Sequence, residues 1–202
     1  MSRSLRPWLQ RRALEDAGAR AAHGDAACAA HDVGTVRPGS RVQIIRVRTP
    51  GKLSSPQFLT FRAEHASAAG DVWAQVCDSH HYMPARFSSA CVDAFQRTSL
   101  VLRFTQLRGA VASIAQCTTA VASVPSQVVG HPWAADTAPT LVLNVDAVVI
   151  LGGLGDAPHA PMAKDVRSWH ALPSDLVPYV AAAEAWVAGR ADCIDQAAGP
   201  LG

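Results

Sequence analysis

Apolar and polar positions alternate with a period of two in several separated stretches of the chain, and each such stretch predicts a strand with one buried face. The strongest runs from Thr140 to Leu151. There Leu141, Leu143, Val145, Ala147, Val149 and Leu151 share one face, and Val142, Asn144, Asp146, Val148 and Ile150 share the other. Between Asp71 and Thr98, Val72, Ala74 and Val76 alternate with Trp73, Gln75 and Cys77, and Met83, Ala85 and Phe87 resume the pattern after Asp78-Ser79-His80-His81. Asp and Ser bond their own backbone two residues on, so those four residues predict a hairpin turn. Pro84 cannot donate to a ladder, which limits its strand to an edge or a bulge. From Arg41 to Thr49 the apolar set changes parity, from Val42 and Ile44 to Ile45 and Val47, as a β-bulge requires. Leu100, Leu102 and Phe104 alternate again, and Val111 to Val124 is rich in β-branched and small residues.

Other spacings predict helices. Ser88 or Ser89 can cap a helix that carries Cys91, Val92 and Phe95 on one face. Residues 4–16 predict a short N-terminal helix with Pro7 near its first turn and Trp8, Leu9 and Leu14 as apolar members. Residues 17–35 read as a loose Ala/Gly linker. Pro50 to Gly70 reads as a long insertion, with Phe58 and Phe61 tucked back onto the body, and Val124 to Pro139 as a loop. Gly152-Gly153-Leu154-Gly155 ends the last strand. Leu176 to Ala188 predicts a helix with Val180, Ala183 and Val187 on one side and Gly189 as its stop. No internal repeat of 20–50 residues is present, so a solenoid is excluded.

The order is strand (bulged), strand, strand, helix, strand, strand. It predicts an all-β domain with added helices: a five-stranded Greek-key barrel of the oligonucleotide/oligosaccharide-binding (OB) type. An open sandwich is the competing architecture. The corresponding divisions are an N-terminal helix and linker over 1–35, the barrel over 36–157, and a Pro-rich segment with a C-terminal helix over 158–202.

Composition narrows the class. With 202 residues, 49% hydrophobic and 17% charged, the chain has a core to bury and is not globally disordered. A formal charge of +2 does not announce a nucleic-acid binder. All but two of the eighteen basic residues are Arg (Lys52 and Lys164 are the exceptions), which reads as base bias in the gene. Arg3, Arg6, Arg11, Arg12 and Arg20 crowd the start and read as a solvated basic arm. Five widely spaced cysteines without a CxxC, and an N-terminus without an apolar signal core, point to a reducing compartment. No run reaches the roughly 20 apolar residues of a membrane span, so a soluble protein is expected.

Candidate chemistry is sparse. Cys77 to His81 lacks a second half with ligand spacing, so a turn with solvated histidines is favoured over a metal site. Val148 to Asp156 lacks both the GK[ST] and the following helix of a phosphate loop. No GxSxG elbow or convincing acid/base pair occurs. Non-enzymatic function, with no cofactor or metal, is the expectation. The rivals are single-stranded DNA binding, and an enzyme using Cys77 or Cys91 as nucleophile. A single-strand binder of this fold stacks bases on strand aromatics. Here Trp73, Tyr82, Phe87 and Phe104 are the candidates, and the last two fall on core faces. A protein-binding module is therefore favoured.

Certain short motifs carry a resemblance. Leu5-Arg6-Pro7-Trp8-Leu9, Asp78-Ser79, Phe87-Ser88, Phe95-Gln96-Arg97-Thr98 and Leu143-Asn144-Val145 occur in this order. The pattern resembles the telomerase-accessory OB-fold family, which includes the yeast "ever shorter telomeres" accessory subunit and the OB domain of the shelterin adrenocortical dysplasia protein. The resemblance implies a nuclear protein of the telomeric region of chromosomes. Its partner would be the telomerase reverse transcriptase or ribonucleoprotein, with a protection-of-telomeres type end-binding protein as a further partner. Direct single-stranded DNA binding would be weak or absent, and no membrane would be involved. The telomerase-binding positions it nominates are Trp8, Asp78, Asp93, Gln96, Arg97, Gln106 and Asp156. For Trp8 a packing role, and for Asp78 a turn-forming role, stand beside direct contact.

Overall fold

The computed structural model describes residues 5–31, 40–48, 71–99, 102–124, 139–157, 162–169 and 172–198. Strands β1 (Arg41–Arg48), β2 (Val72–Cys77), β3 (His81–Phe87), β4 (Val111–Ala122) and β5 (Thr140–Gly152) pair in the cyclic order β1-β2-β3-β5-β4-β1. All neighbours are antiparallel except β3 and β5, which are parallel over Ala85–Phe87 and Leu143–Val145. This closure is the OB barrel that the order of elements predicts. Helix α1 (Leu9–His31) precedes the barrel, α2 (Ser89–Thr98) lies between β3 and β4, and α3 (Val180–Ala198) follows. A two-residue strand, β6 (Lys164–Asp165), adds to β3 at His81 and Tyr82.

The parity change in β1 is a bulge. Its pairing with β2 skips from Ile44 to Arg46, which lets Val42 and Ile44 face the core on one side of the irregularity and Val47 on the other. Pro84 lies opposite Gln75, on the stretch of β3 between its pairing with β6 and its pairing with β5, where no N–H is needed. Ser88 caps α2, its Oγ accepting from the Cys91 N–H at 3.3 Å. Cys91 is buried, with Val92 and Phe95 packed on the same core. Phe104 fills the space beneath α2. Its ring lies 4.9 Å from Phe87 and meets Phe95 edge-on at 5.4 Å.

Several expectations change. Phe104–Gln106 is a 3₁₀ turn rather than a strand, because Phe104 turns inward as a core plug. Along β5 the predicted face holds only as far as Val145. Irregular pairing near Ala115 and Asp146 shifts the register, so Val148 and Ile150 turn towards the core while Val149 and Leu151 are exposed. The N-terminal helix starts at Leu9, after Pro7, and runs through the stretch read as linker to His31. Its Ala-rich composition sustains helix without strong patterning. The C-terminal helix passes Gly189 and ends at Ala198. The Pro50–Gly70 insertion with Phe58 and Phe61, Leu100, and most of the Val124–Pro139 loop lie outside the described residues.

α1 is tied to the barrel and to α3. Leu14 and Ala17 pack with Leu176 and Ala183 in a second, smaller core. Gly18 allows this approach, since a Cβ there would stand 2.3 Å from Tyr179 Cδ1. Asp16 accepts from the Thr119 N–H at 3.2 Å, and Arg20 donates to the Thr119 carbonyl at 3.3 Å, so the helix satisfies both backbone groups of one β4 residue. The guanidinium of Arg20 also sits 4.5 Å from the Trp186 ring centre. Arg11 bonds Asp175 at 2.8 Å, and Arg12 pairs with Asp16 at 3.0 Å. Three of the five N-terminal arginines thus belong to a packed helix and not to a solvated arm.

The first turn of α1 is held by Asp78. Its Oδ2 accepts from the N–H groups of Trp8 at 2.7 Å and Leu9 at 2.8 Å. Its Oδ1 accepts from His80 and His81, both at 2.8 Å. Replacing Asp78 by Ala strips four donors of their acceptor. We expect urea denaturation to show a loss of about 3–5 kcal/mol, and a smaller loss for Asp78→Asn, which keeps one acceptor oxygen.

Candidate functional site

The nominated residues separate into groups by what holds them. Asp78 is fully buried. With both oxygens committed to backbone donors it serves as turn residue and remote helix cap, the turn-forming role that stood beside direct contact. Trp8 is half-buried against the core, and its Nε1 donates to the Arg41 carbonyl at 3.0 Å. It secures the start of α1 to β1 and stays partly exposed.

The second group lies on and after α2. Asp93, Gln96 and Arg97 are exposed, on the side of the helix away from Cys91 and Phe95. Helical spacing sets Asp93 next to both Gln96 and Arg97 on that side. Gln106 is exposed on the 3₁₀ turn, where its Oε1 accepts from the Arg103 N–H at 2.9 Å. The turn is joined to α2 through Phe104 against Phe95. The seven residues of β3 lie between the Asp78 turn and the start of α2, a span of about 20 Å at strand rise. The nominated residues therefore do not form one patch.

Asp156 is exposed and belongs to a third place, the Gly-rich turn after β5. Gly109 has φ +83° and lies so near that a Cβ would stand 2.5 Å from the Asp156 nitrogen. Buried Gln43 bridges the two segments, its Nε2 donating to the carbonyls of Gly109 and Ala157, each at 3.0 Å. The turn closes on Gly153 and Gly155, both at positive φ, and no helix begins among the described residues through Ala157.

The Cys77-to-His81 stretch is a closed turn, with the Asp78 N–H donating to the His81 carbonyl at 3.0 Å. No group of three His, Cys, Asp or Glu side chains gathers as metal ligands among the described residues. No described helix is long and apolar enough to cross a membrane. Burial, reinforced by Asp78, pushes the Cys77 thiol up to about 11, and burial with Asp146 pushes Cys91 up to about 11. Neither environment makes a nucleophilic thiolate at neutral pH.

A groove of about 610 Å³ opens beside Trp8, lined by the start of α1, the β2–β3 turn, β6 and the segment leading into α3. Sequence reasoning missed it. Its walls come from four separated segments, and no local motif encodes their meeting.

With this geometry in view, the fold is similar to that of the Est3 telomerase subunit in the yeast Hansenula polymorpha. The TM-score is 0.50 and the identity 16%, across 90% of this chain and 85% of that one. The likeness is one of fold. No protein-family model and no curated protein matches the chain. The comparison agrees with the barrel read from the element order.

Thiol reactivity tests the burial assignments directly. Cys77 and Cys91 should resist iodoacetamide at pH 7.5 in the folded protein and label fully in denaturant, as read by peptide mass mapping. Rapid labelling of either in the native state would mean an opening at β2 or α2.

Proposed function

We propose that this protein is a non-catalytic OB-fold module that binds telomerase and recruits or stimulates it at chromosome ends. The observation that carries the reading is the likeness in fold to an Est3 telomerase subunit over most of both chains. A second support is the exposed polar face of α2 at positions that the sequence resemblance nominates. On this reading the protein works in the nucleus, in the telomeric region. Its partner is the telomerase reverse transcriptase within its ribonucleoprotein, and an end-binding protein of the protection-of-telomeres type is a further partner.

The mechanism is recruitment through an outer wall. Asp93, Gln96 and Arg97, with Gln106 on the adjoining turn, form the docking face, and the barrel holds them in fixed relation. Tethering the polymerase to a chromosome end raises its local concentration there without any new chemistry. Rim charges contribute modestly, and apolar anchors on the partner side carry most of the affinity. Direct single-strand binding is disfavoured by the β2–β3 wall. Phe87 and Phe104 are buried. Trp73 and Tyr82 are half-buried, and Arg86, opposite Trp73, faces Asp71 at 3.8 Å.

The test is affinity purification of the tagged protein from its native cell, with telomerase RNA and extension activity as readouts. Asp93→Arg combined with Arg97→Glu should lower telomerase recovery several-fold and shift Tm by no more than about 2 °C. Undiminished recovery removes the α2 face from the mechanism. A purified protein that binds oligonucleotides with steep salt dependence supports the single-strand reading instead.

A further inference from the structure

We infer that the groove beside Trp8 is a second docking site, built for a short acidic segment of a partner protein that inserts an aliphatic or aromatic side chain. The inference is independent of the α2 face and of the telomerase reading. Pro7, Trp8 and Leu176 give the groove apolar walls, and Met162, 87% exposed, stands at its rim. An exposed methionine next to an apolar cleft is an adaptable contact for a side chain of variable shape. The volume of about 610 Å³ lies within the range of sites that enclose a ligand.

Charge selects the occupant. Arg11, His80, His81 and Lys164 are among the described lining residues, and no Asp or Glu is. Arg11 is already engaged by Glu15 and Asp175. Lys164 is exposed and has no ion pair among the described residues. It is fixed beside the cleft because its N–H donates to the His80 carbonyl at 2.8 Å, which pins β6 to the turn. His81 adds a buried Nδ1 without a hydrogen-bond partner. Burial holds its imidazole below the usual pKa, so it is neutral near pH 7. The nearby carboxylate of Asp78 is turned away, with both oxygens on backbone N–H groups. An apolar cleft beside a cation that has no ion pair among the described residues fits a carboxylate-flanked apolar side chain. It fits a nucleic acid poorly, since among the described lining residues it offers a single lysine without an ion pair and no fully exposed aromatic ring.

The experiment uses the full chain and four fluorescein-labelled peptides, each with Phe, Leu, Trp or Met set between pairs of Glu, and the same four with Lys in place of Glu. Fluorescence anisotropy should show at least one Glu peptide saturating with at least tenfold lower Kd than its Lys counterpart. Lys164→Glu combined with His80→Glu should weaken it tenfold or more, and Met162→Asp should weaken it several-fold. Asp93→Arg should leave it unchanged, which separates this site from the α2 face. In a ¹⁵N spectrum the Trp8 indole N–H should shift on titration. No saturation by any Glu peptide below 1 mM, equal affinity for both sets, or insensitivity to the Lys164 and His80 changes overturns the inference. Binding of a (dT)₁₀ oligonucleotide in preference to the peptides also overturns it.

Discussion

One carboxylate joins the two halves of this molecule. Asp78 lies 70 residues along the chain from Trp8, yet the β2–β3 turn and the start of α1 both end their hydrogen bonding on it. A helix start leaves N–H groups without partners and carries a partial positive charge. The sequence just before Leu9 offers Leu5, Arg6, Pro7 and Trp8, none of which can cap. A buried anion from another element fills that role. The arrangement also removes the cost of burying a charge, since four donors surround it. With α1 fixed in direction by its first turn, the contacts of Asp16 and Arg20 with Thr119 and of Leu14 and Ala17 with α3 can form. The C-terminal helix is thereby connected to the barrel largely through α1.

The local signals were legible because local physics produced them. The bulge in β1 announced itself as a parity change between Ile44 and Ile45. The Ser88 cap, the polar turn at Asp78 and the inward set Met83, Ala85 and Phe87 each follow from a few neighbouring residues. What escaped were effects that need a partner far along the chain. Asp78 as a turn residue was visible, but Asp78 as a cap for α1 was not, because the capped helix lies elsewhere in the sequence. The extent of α1 is not legible locally, since Ala-rich segments with little amphipathic pattern look like linkers until another helix packs on them. Gly189 looked like a stop, yet a glycine inside a helix costs only about 1 kcal/mol, and continuation needs no more than modest support.

The register of β5 shows the same limit from the other side. A period of two assigns every other residue to the core, but it assumes unbroken pairing with β4. A slip of one residue moves a whole set of side chains to the opposite face. Irregular pairing near Ala115 and Asp146 does this halfway along, so one strand places Leu143 and Val145 in the barrel and leaves Val149 and Leu151 outside. Barrel closure drives it. Long strands must bend to close around five members, and bulges are the usual means of bending. The outer surface of the closing strand is therefore set by topology rather than by the strand's own pattern.

Recruitment demands little of any single side chain and much of relative position. A face such as Asp93, Gln96 and Arg97 gains specificity only if its geometry is kept while the partner approaches, and exposed charges by themselves contribute little. The device that keeps it is Phe104, which locks α2 to the barrel through Phe87 and Phe95. The Trp8 groove depends on a different device, since Asp78 sets both the start of α1 and the turn that carries His80 and His81. Two surfaces organised by separate core contacts on one barrel can be engaged together or alone. A partner that contacts both is held by the product of two modest affinities, while damage to either anchor removes one contact and leaves the other intact. On the proposed reading, that separability is what two independently anchored surfaces would give and a single deep cleft would not.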